Sequence, residues 1–178
     1  MARVTILDKT FETSYPESQI TQAVAKVADA INADLDGRDP LFLCVLNGAF
    51  MFAADLMKRV SIPSKISFVK FASYSGTQST GVIKQLIGLN EDLTGRTVVI
   101  IEDIVDTGIT IENLVKQCIE KGAADVRVAT MLFKPGNCKT PTKPDYVGLE
   151  IPNDFIVGYG LDYDGYGRNI PEILTLVQ

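Results

Sequence analysis

The chain has 178 residues, 46% of them hydrophobic, which suits a single domain over residues 1–178 with one sizeable core. Its 17 basic and 22 acidic side chains leave a net charge of −5, and without a basic run to grip a polyphosphate backbone no nucleic-acid partner is expected. Histidine is absent, so Ser-His and Cys-His nucleophile systems and imidazole ligation of metals are excluded, leaving carboxylates, lysine, backbone amides or a metal to do any chemistry.

Three cysteines, Cys44, Cys118 and Cys138, are odd in number and lack a CxxC spacing, against a disulfide framework or a zinc site; Cys44 and Cys118 read as small core residues. The N-terminal MARVTILDKT has no long apolar signal region, and no apolar run approaches the roughly 20 residues that span a bilayer. A cytoplasmic protein with no membrane partner is expected.

In chain order, PESQITQAVAKVADAINADLDG places Ile20, Val24, Val27, Ile31 and Leu35 at helical spacing, opening after Tyr15-Pro16 and stopping at Gly37. LFLCVL, Leu41 to Leu46, is a continuous apolar run, as in a strand buried on both faces, and Asn47-Gly48 leads into a second helical pattern, AFMFAADLMKRV. KISFVKF alternates as a half-buried strand. The following polar, glycine-rich 72–95 stretch reads as a mobile lid or a pair of irregular edge strands. TVVIIED is a second strand apolar on both faces, and from Thr107 a helix carries the stripe Ile111, Leu114, Val115, Cys118 and Ile119, ended by Gly122. VRVATMLF predicts a third buried strand, and beyond KPGNCKTPTKP come DYVGLEI, FIVGYGLD and PEILTLVQ, the last predicting one more short strand. Strands alternating with helices imply an α/β fold, a doubly wound and mostly parallel sheet flanked by helices, with ligands at the carboxyl ends of its strands.

VVIIEDIVDTGITIENL sets three acids at the mouth of the central strand. Glu102 and Asp103 end that strand, and Asp106-Thr107-Gly108-Ile109-Thr110 turns into the next helix. The first N–H groups of a helix lack helical acceptors and carry about half a positive charge, so this turn suits a phosphate monoester. Gly108 allows close approach, and Thr107 and Thr110 offer hydroxyls. Three carboxylates beside that pocket would repel phosphate unless a divalent cation or sugar hydroxyls stood between, and magnesium with a diphosphate and a ribose diol meets both needs. Isolated Asp-Thr-Gly turns are most often ordinary helix caps; the acids behind an apolar strand favour the ligand site.

VVIIEDIVDTGIT resembles the phosphoribosyl-pyrophosphate signature of type I phosphoribosyltransferases. VLNGAFMFAADL, SYSGTQSTG, the lysine after TMLF and KPDYVGLEIPNDFIVGYGLDYDGYGR fall in the order and approximate spacing of the hypoxanthine-guanine branch, so the likeness covers nearly the whole chain. It implies the type I fold, with a core over about 14–150, a small hood from the N- and C-terminal segments, and a flexible loop. It also implies magnesium-dependent transfer of a 5-phosphoribosyl group from 5-phosphoribosyl 1-diphosphate to a 6-oxopurine base, giving a nucleoside monophosphate and pyrophosphate.

The resemblance further assigns residues. Glu102 and Asp103 would hold the ribose hydroxyls and the metal-bound donor, Asp106 to Thr110 would cradle the 5-phosphate, and Asp106 would accept the purine proton, which a partly desolvated carboxylate can do. Lys134 matches the lysine that bonds the exocyclic oxygen of the base and so rejects adenine. Phe155 and Ile156 match the stacking and backbone contacts to the purine, Asp162 the acid that helps bind a second magnesium, and Arg168 the arginine near pyrophosphate. Leu46-Asn47-Gly48 resembles the pyrophosphate loop with its cis peptide; Asn47 stands where relatives often carry a basic residue, so this loop would act through backbone N–H groups. Ser73 and Tyr74 match the serine-tyrosine pair of the flexible loop. A homodimer or homotetramer is the family habit. A xanthine-preferring relative, a regulatory homologue that does not turn over, and a phospho-acceptor module are the competing readings, the last leaving Lys134 and FIVGYGLD without a role.

Overall fold

The computed structural model describes residues 3–72 and 84–177. In chain order the elements are β1 (Arg3–Ile6), β2 (Lys9–Tyr15), α1 (Glu17–Asp34), β3 (Leu41–Leu46), α2 (Phe50–Met57), β4 (Lys65–Ala72), β5 (Lys84–Ile87), β6 (Thr97–Val105), α3 (Ile109–Glu120), β7 (Asp125–Phe133), β8 (Tyr146–Glu150), β9 (Ile156–Val157) and β10 (Ile173–Leu176). The main sheet has the order β5-β4-β3-β6-β7-β8. Its neighbours are parallel from β4 to β8, with β5 antiparallel at the edge.

The three apolar runs occupy adjoining, interior positions of this sheet because they alone can bury both faces. On one face Phe42, Cys44, Val99 and Ile101 pack with Ile20, Val24, Val27 and Ile31 of α1 and Phe52 and Leu56 of α2. On the other, Leu41, Leu43, Val98 and Ile100 pack with Ile111, Leu114 and Cys118 of α3. Burial pushes the Cys44 thiol up to about 12 and the Cys118 thiol to about 11, as expected of inert core residues.

Two expectations need correction at α3. The helix opens at Ile109, with Gly108 as its N-cap, two residues beyond Thr107. Ile119 is 57% exposed: the helix buries a stripe one residue wide at that turn, and Cys118 fills it.

A second sheet, order β1-β2-β10-β9 and antiparallel throughout, draws the two ends of the chain together. PEILTLVQ supplies β10 as expected, whereas FIVGYGLD forms only the two-residue β9 before a run of tight turns. Phe11, Val157 and Leu174 give this sheet its own small core. No helix among the described residues is long and apolar enough to cross a membrane.

Candidate functional site

Because β3, β6 and β7 are parallel neighbours, the segments that follow them, 46–48, 106–110 and 134–140, emerge at one edge of the sheet. At that edge Glu102 is only 6% exposed and lies against Asp103. Burial, then the neighbouring Asp103 charge, holds the Glu102 carboxyl well above the usual range. Burial also raises Asp103, although the Ile104 N–H, donated to Oδ1 at 2.7 Å, and the Arg168 charge oppose the rise. Burial disfavours the charged forms of this adjoining pair, so a cation or hydroxyl donors brought against them would stabilise the ionised carboxylates.

The 46–48 loop presses on this pair. The Leu46–Asn47 peptide is cis, as expected from the resemblance. A Cβ added to Gly48 would fall 1.6 Å from Asp103 Oδ2, and one added to Gly160 would fall 2.0 Å from the Gly48 carbonyl oxygen. The backbones of 46–48 and of the loop after β9 are therefore stacked on the Asp103 carboxylate, with no room for side chains between. Asn47 points to solvent.

The Asp106–Thr110 turn is shaped by Gly108, at φ 84°, whose α-carbon faces Thr140 and Cys138. Thr107 is not the cap: its Oγ1 accepts only a long 3.5 Å bond from the Ile109 N–H, and no side chain caps α3. Ile109 and Thr110 are exposed, which leaves the helix mouth open to an anion.

Asp106 is less desolvated than Glu102, its side chain 43% exposed against 9% for Lys134, whose Nζ lies 3.8 Å from Asp106 Oδ2 and donates to the Asp154 carbonyl at 2.8 Å. The residue that sequence reasoning missed here is Asn137, whose Nδ2 donates to Asp106 Oδ1. The only signal was Pro135-Gly136, a turn dipeptide that brings positions 134 and 137 together.

Phe155 is 48% exposed, with its ring held edge-on by Tyr163 at 5.9 Å and tilted against Phe11 at 6.2 Å. Ile156 is buried in β9. Arg168 forms a 2.6 Å ion pair with Asp162 and donates to the Gly160 carbonyl at 2.7 Å, while Asp162 also accepts from the Gly165 N–H. Arg168 thus bears on Asp103 by its charge and on the Gly48 contact by holding Gly160. Asp162 does not join the acidic pair: among the described residues no group of three or more His, Cys, Asp or Glu converges as a metal centre. The adjoining Glu102 and Asp103 carboxylates are nevertheless a hard-oxygen donor set of the kind magnesium accepts when ligand oxygens and water complete the shell. Ser73 and Tyr74 lie outside the described residues.

Comparison with known proteins extends this picture. A family model described as "Phosphoribosyl transferase domain" matches residues 15–164. A hypoxanthine-guanine phosphoribosyltransferase of Lactococcus lactis is 36% identical over 172 residues, covering 96% of this chain and 93% of that protein. One from Mycobacterium tuberculosis is 39% identical over 165 residues, covering 89% and 82%. Among solved structures, a hypoxanthine phosphoribosyltransferase of Staphylococcus aureus superposes with a TM-score of 0.88 at 34% identity, covering 93% of this chain and 91% of that one.

Proposed function

The chain belongs to the phosphoribosyltransferase family, and from that premise we propose that it is a purine-salvage enzyme. It transfers the 5-phosphoribosyl group of 5-phosphoribosyl 1-diphosphate to hypoxanthine, and to guanine, forming IMP or GMP and pyrophosphate. The observation that carries this reading is the pairing of Asp106 with Lys134 at the ends of adjoining strands, beside an open helix mouth. A 6-oxopurine needs both: an acceptor for its ring N–H and a cationic donor for its exocyclic oxygen.

In the reaction the ribose C1–oxygen bond breaks and its electron pair leaves on pyrophosphate, while a purine nitrogen forms the new C1–N bond. The ring proton passes to Asp106. As positive charge develops at C1, Glu102 and Asp103 stabilise it and hold the ribose hydroxyls. Thr107, Gly108, Ile109 and Thr110 hold the 5-phosphate through backbone N–H groups and hydroxyls. The Leu46-Asn47-Gly48 backbone and Arg168 bind pyrophosphate, and Phe155 and Ile156 stack on the base and offer it backbone groups. Glu102 and Asp103, and at a second position Asp162, would hold magnesium, which would supply charge neutralisation for the leaving pyrophosphate. A cytoplasmic location is part of the proposal, in keeping with a phosphorylated donor and product that do not cross membranes unaided.

Self-association is part of the same proposal. Phe50 on α2 and Ile66 and Phe68 on β4 are exposed, and the register Phe42↔Ile66 and Cys44↔Phe68 sets the two β4 residues on the sheet face that carries α1 and α2. Such apolar exposure suits a homodimer or homotetramer contact.

Pyrophosphate release with hypoxanthine, guanine, xanthine, adenine and uracil in turn, with magnesium and with chelator, tests the proposal. Turnover with hypoxanthine or guanine, lost on chelation, is expected. Preference for xanthine would move the assignment to that branch, and donor binding without turnover on any base would favour a regulatory role.

A further inference from the structure

The segment after β7 is fastened to the Asp106 turn on both sides of the carboxylate. Lys134 N–H donates to the Val105 carbonyl and Lys139 N–H to the Thr107 carbonyl, each at 2.9 Å. Between these anchors Lys134-Pro135-Gly136-Asn137 closes a tight turn through the Asn137 N–H to the Lys134 carbonyl at 3.1 Å, with proline at the position whose φ such turns require. Side chains from the two ends of this one turn then meet the two oxygens of Asp106: Asn137 Nδ2 donates to Oδ1, and Lys134 Nζ faces Oδ2. A carboxylate only accepts, so it is the amide nitrogen that must face it.

We infer that Asn137 is a positioning residue for Asp106, fixing the carboxylate through Oδ1 so that Oδ2, beside Lys134, is the oxygen presented to the purine N–H. The inference rests on the reading of Asp106 as proton acceptor. Its physical content is selective. Lys134 also donates to the Asp154 carbonyl and is committed to the base's exocyclic oxygen, so it cannot by itself hold the carboxylate in one rotamer. A neutral amide supplies the missing constraint without setting a second positive charge beside the base. The half-exposed Asp106 side chain would otherwise turn toward water, and a base that is misdirected loses rate with little loss of ground-state binding.

The test is steady-state kinetics of Asn137→Leu, which keeps the size and removes the donor, and of Asn137→Asp, which keeps the shape and opposes a second carboxylate to Asp106. Each is also made in an Asp106→Asn background, with thermal midpoints to report folding. For Asn137→Leu we expect kcat with hypoxanthine to fall about tenfold, in keeping with loss of a bond to a charged group, with KM for the phosphoribosyl donor within about twofold. Asn137→Asp should fall at least as far, and neither change should reduce kcat further once Asp106 is Asn. A kcat within twofold of wild type in both single variants, while Asp106→Asn is impaired, would overturn this inference alone. An undiminished Asn137 effect in the Asp106→Asn background would also overturn it, since the residue would then act through the fold. Wild-type kcat in Asp106→Asn would instead overturn the assignment of the proton acceptor, and the role of Asn137 with it.

Discussion

At the scale of single residues the site is governed by how closely backbone approaches buried charge. Gly48 touches Asp103 so nearly that any Cβ must displace the carboxylate. Gly48→Ala should therefore cut kcat/KM by about 100-fold or more through misplacement of Asp103, read by pyrophosphate release beside a thermal melt. Glu102 carries the opposite tension, because under the proposed function its buried carboxylate is stabilised only when a ligand is bound. Its carboxyl is raised well above the usual range, so the folded state binds more protons than the unfolded one from about pH 4.3 upward, and stability falls as pH rises through that window. Glu102→Gln should flatten this slope and stabilise the ligand-free protein near pH 7, while weakening donor binding. Denaturant titrations across pH, with and without the donor, read both effects. The contiguous residues of the site were legible in the sequence, since Glu102, Asp103 and the 106–110 turn form one motif. Asn137 was not, because it meets Asp106 across 31 positions of chain and its composition marks only a turn.

At the scale of elements, the apolar runs of β3, β6 and β7 announced a sheet buried on both faces, and the 3.6-residue spacing of α1 matched its buried stripe of Ile20, Val24, Val27 and Ile31. What the sequence concealed was the segment after β9. Its glycines and its Tyr159 at φ 49° have no periodicity, and their arrangement depends on distant partners. Tyr159 is one of these: its hydroxyl donates to Asp55 of α2 at 2.8 Å, tying to the sheet's helical layer the same loop whose Gly160 meets Gly48. Tyr159→Phe should cost about 1–2 kcal/mol in chemical unfolding, and kcat/KM should fall with it, because the loop that backs Gly48 loses its anchor. A loss of stability with unaltered kinetics would separate the loop from the site.

At the scale of the whole molecule, two sheets divide the work. The large one sets Glu102, Asp103, Asp106 and Lys134 at the carboxyl ends of neighbouring strands, and the small one presents Phe155 on a cluster with Phe11 and Tyr163. Periodicity does not announce the small sheet, since β1 and β9, of four and two residues, are too short to signal themselves. Association should follow the apolar face of β4: Phe68→Glu, at a residue 43% exposed, is expected to shift the sedimentation coefficient toward monomer, and an unchanged coefficient would place the contact elsewhere. The proposed enzyme depends on phosphoribosyl transfer with Asp106 as proton acceptor. Its most direct test is the parallel measurement of nucleotide and pyrophosphate formed from hypoxanthine, magnesium and 5-phosphoribosyl 1-diphosphate by the wild-type protein and by Asp106→Asn. Equimolar products from the wild type, with the rate of the variant lower by about 100-fold or more, are predicted. Absence of nucleotide from the wild type, or equal rates from the two proteins, would contradict it.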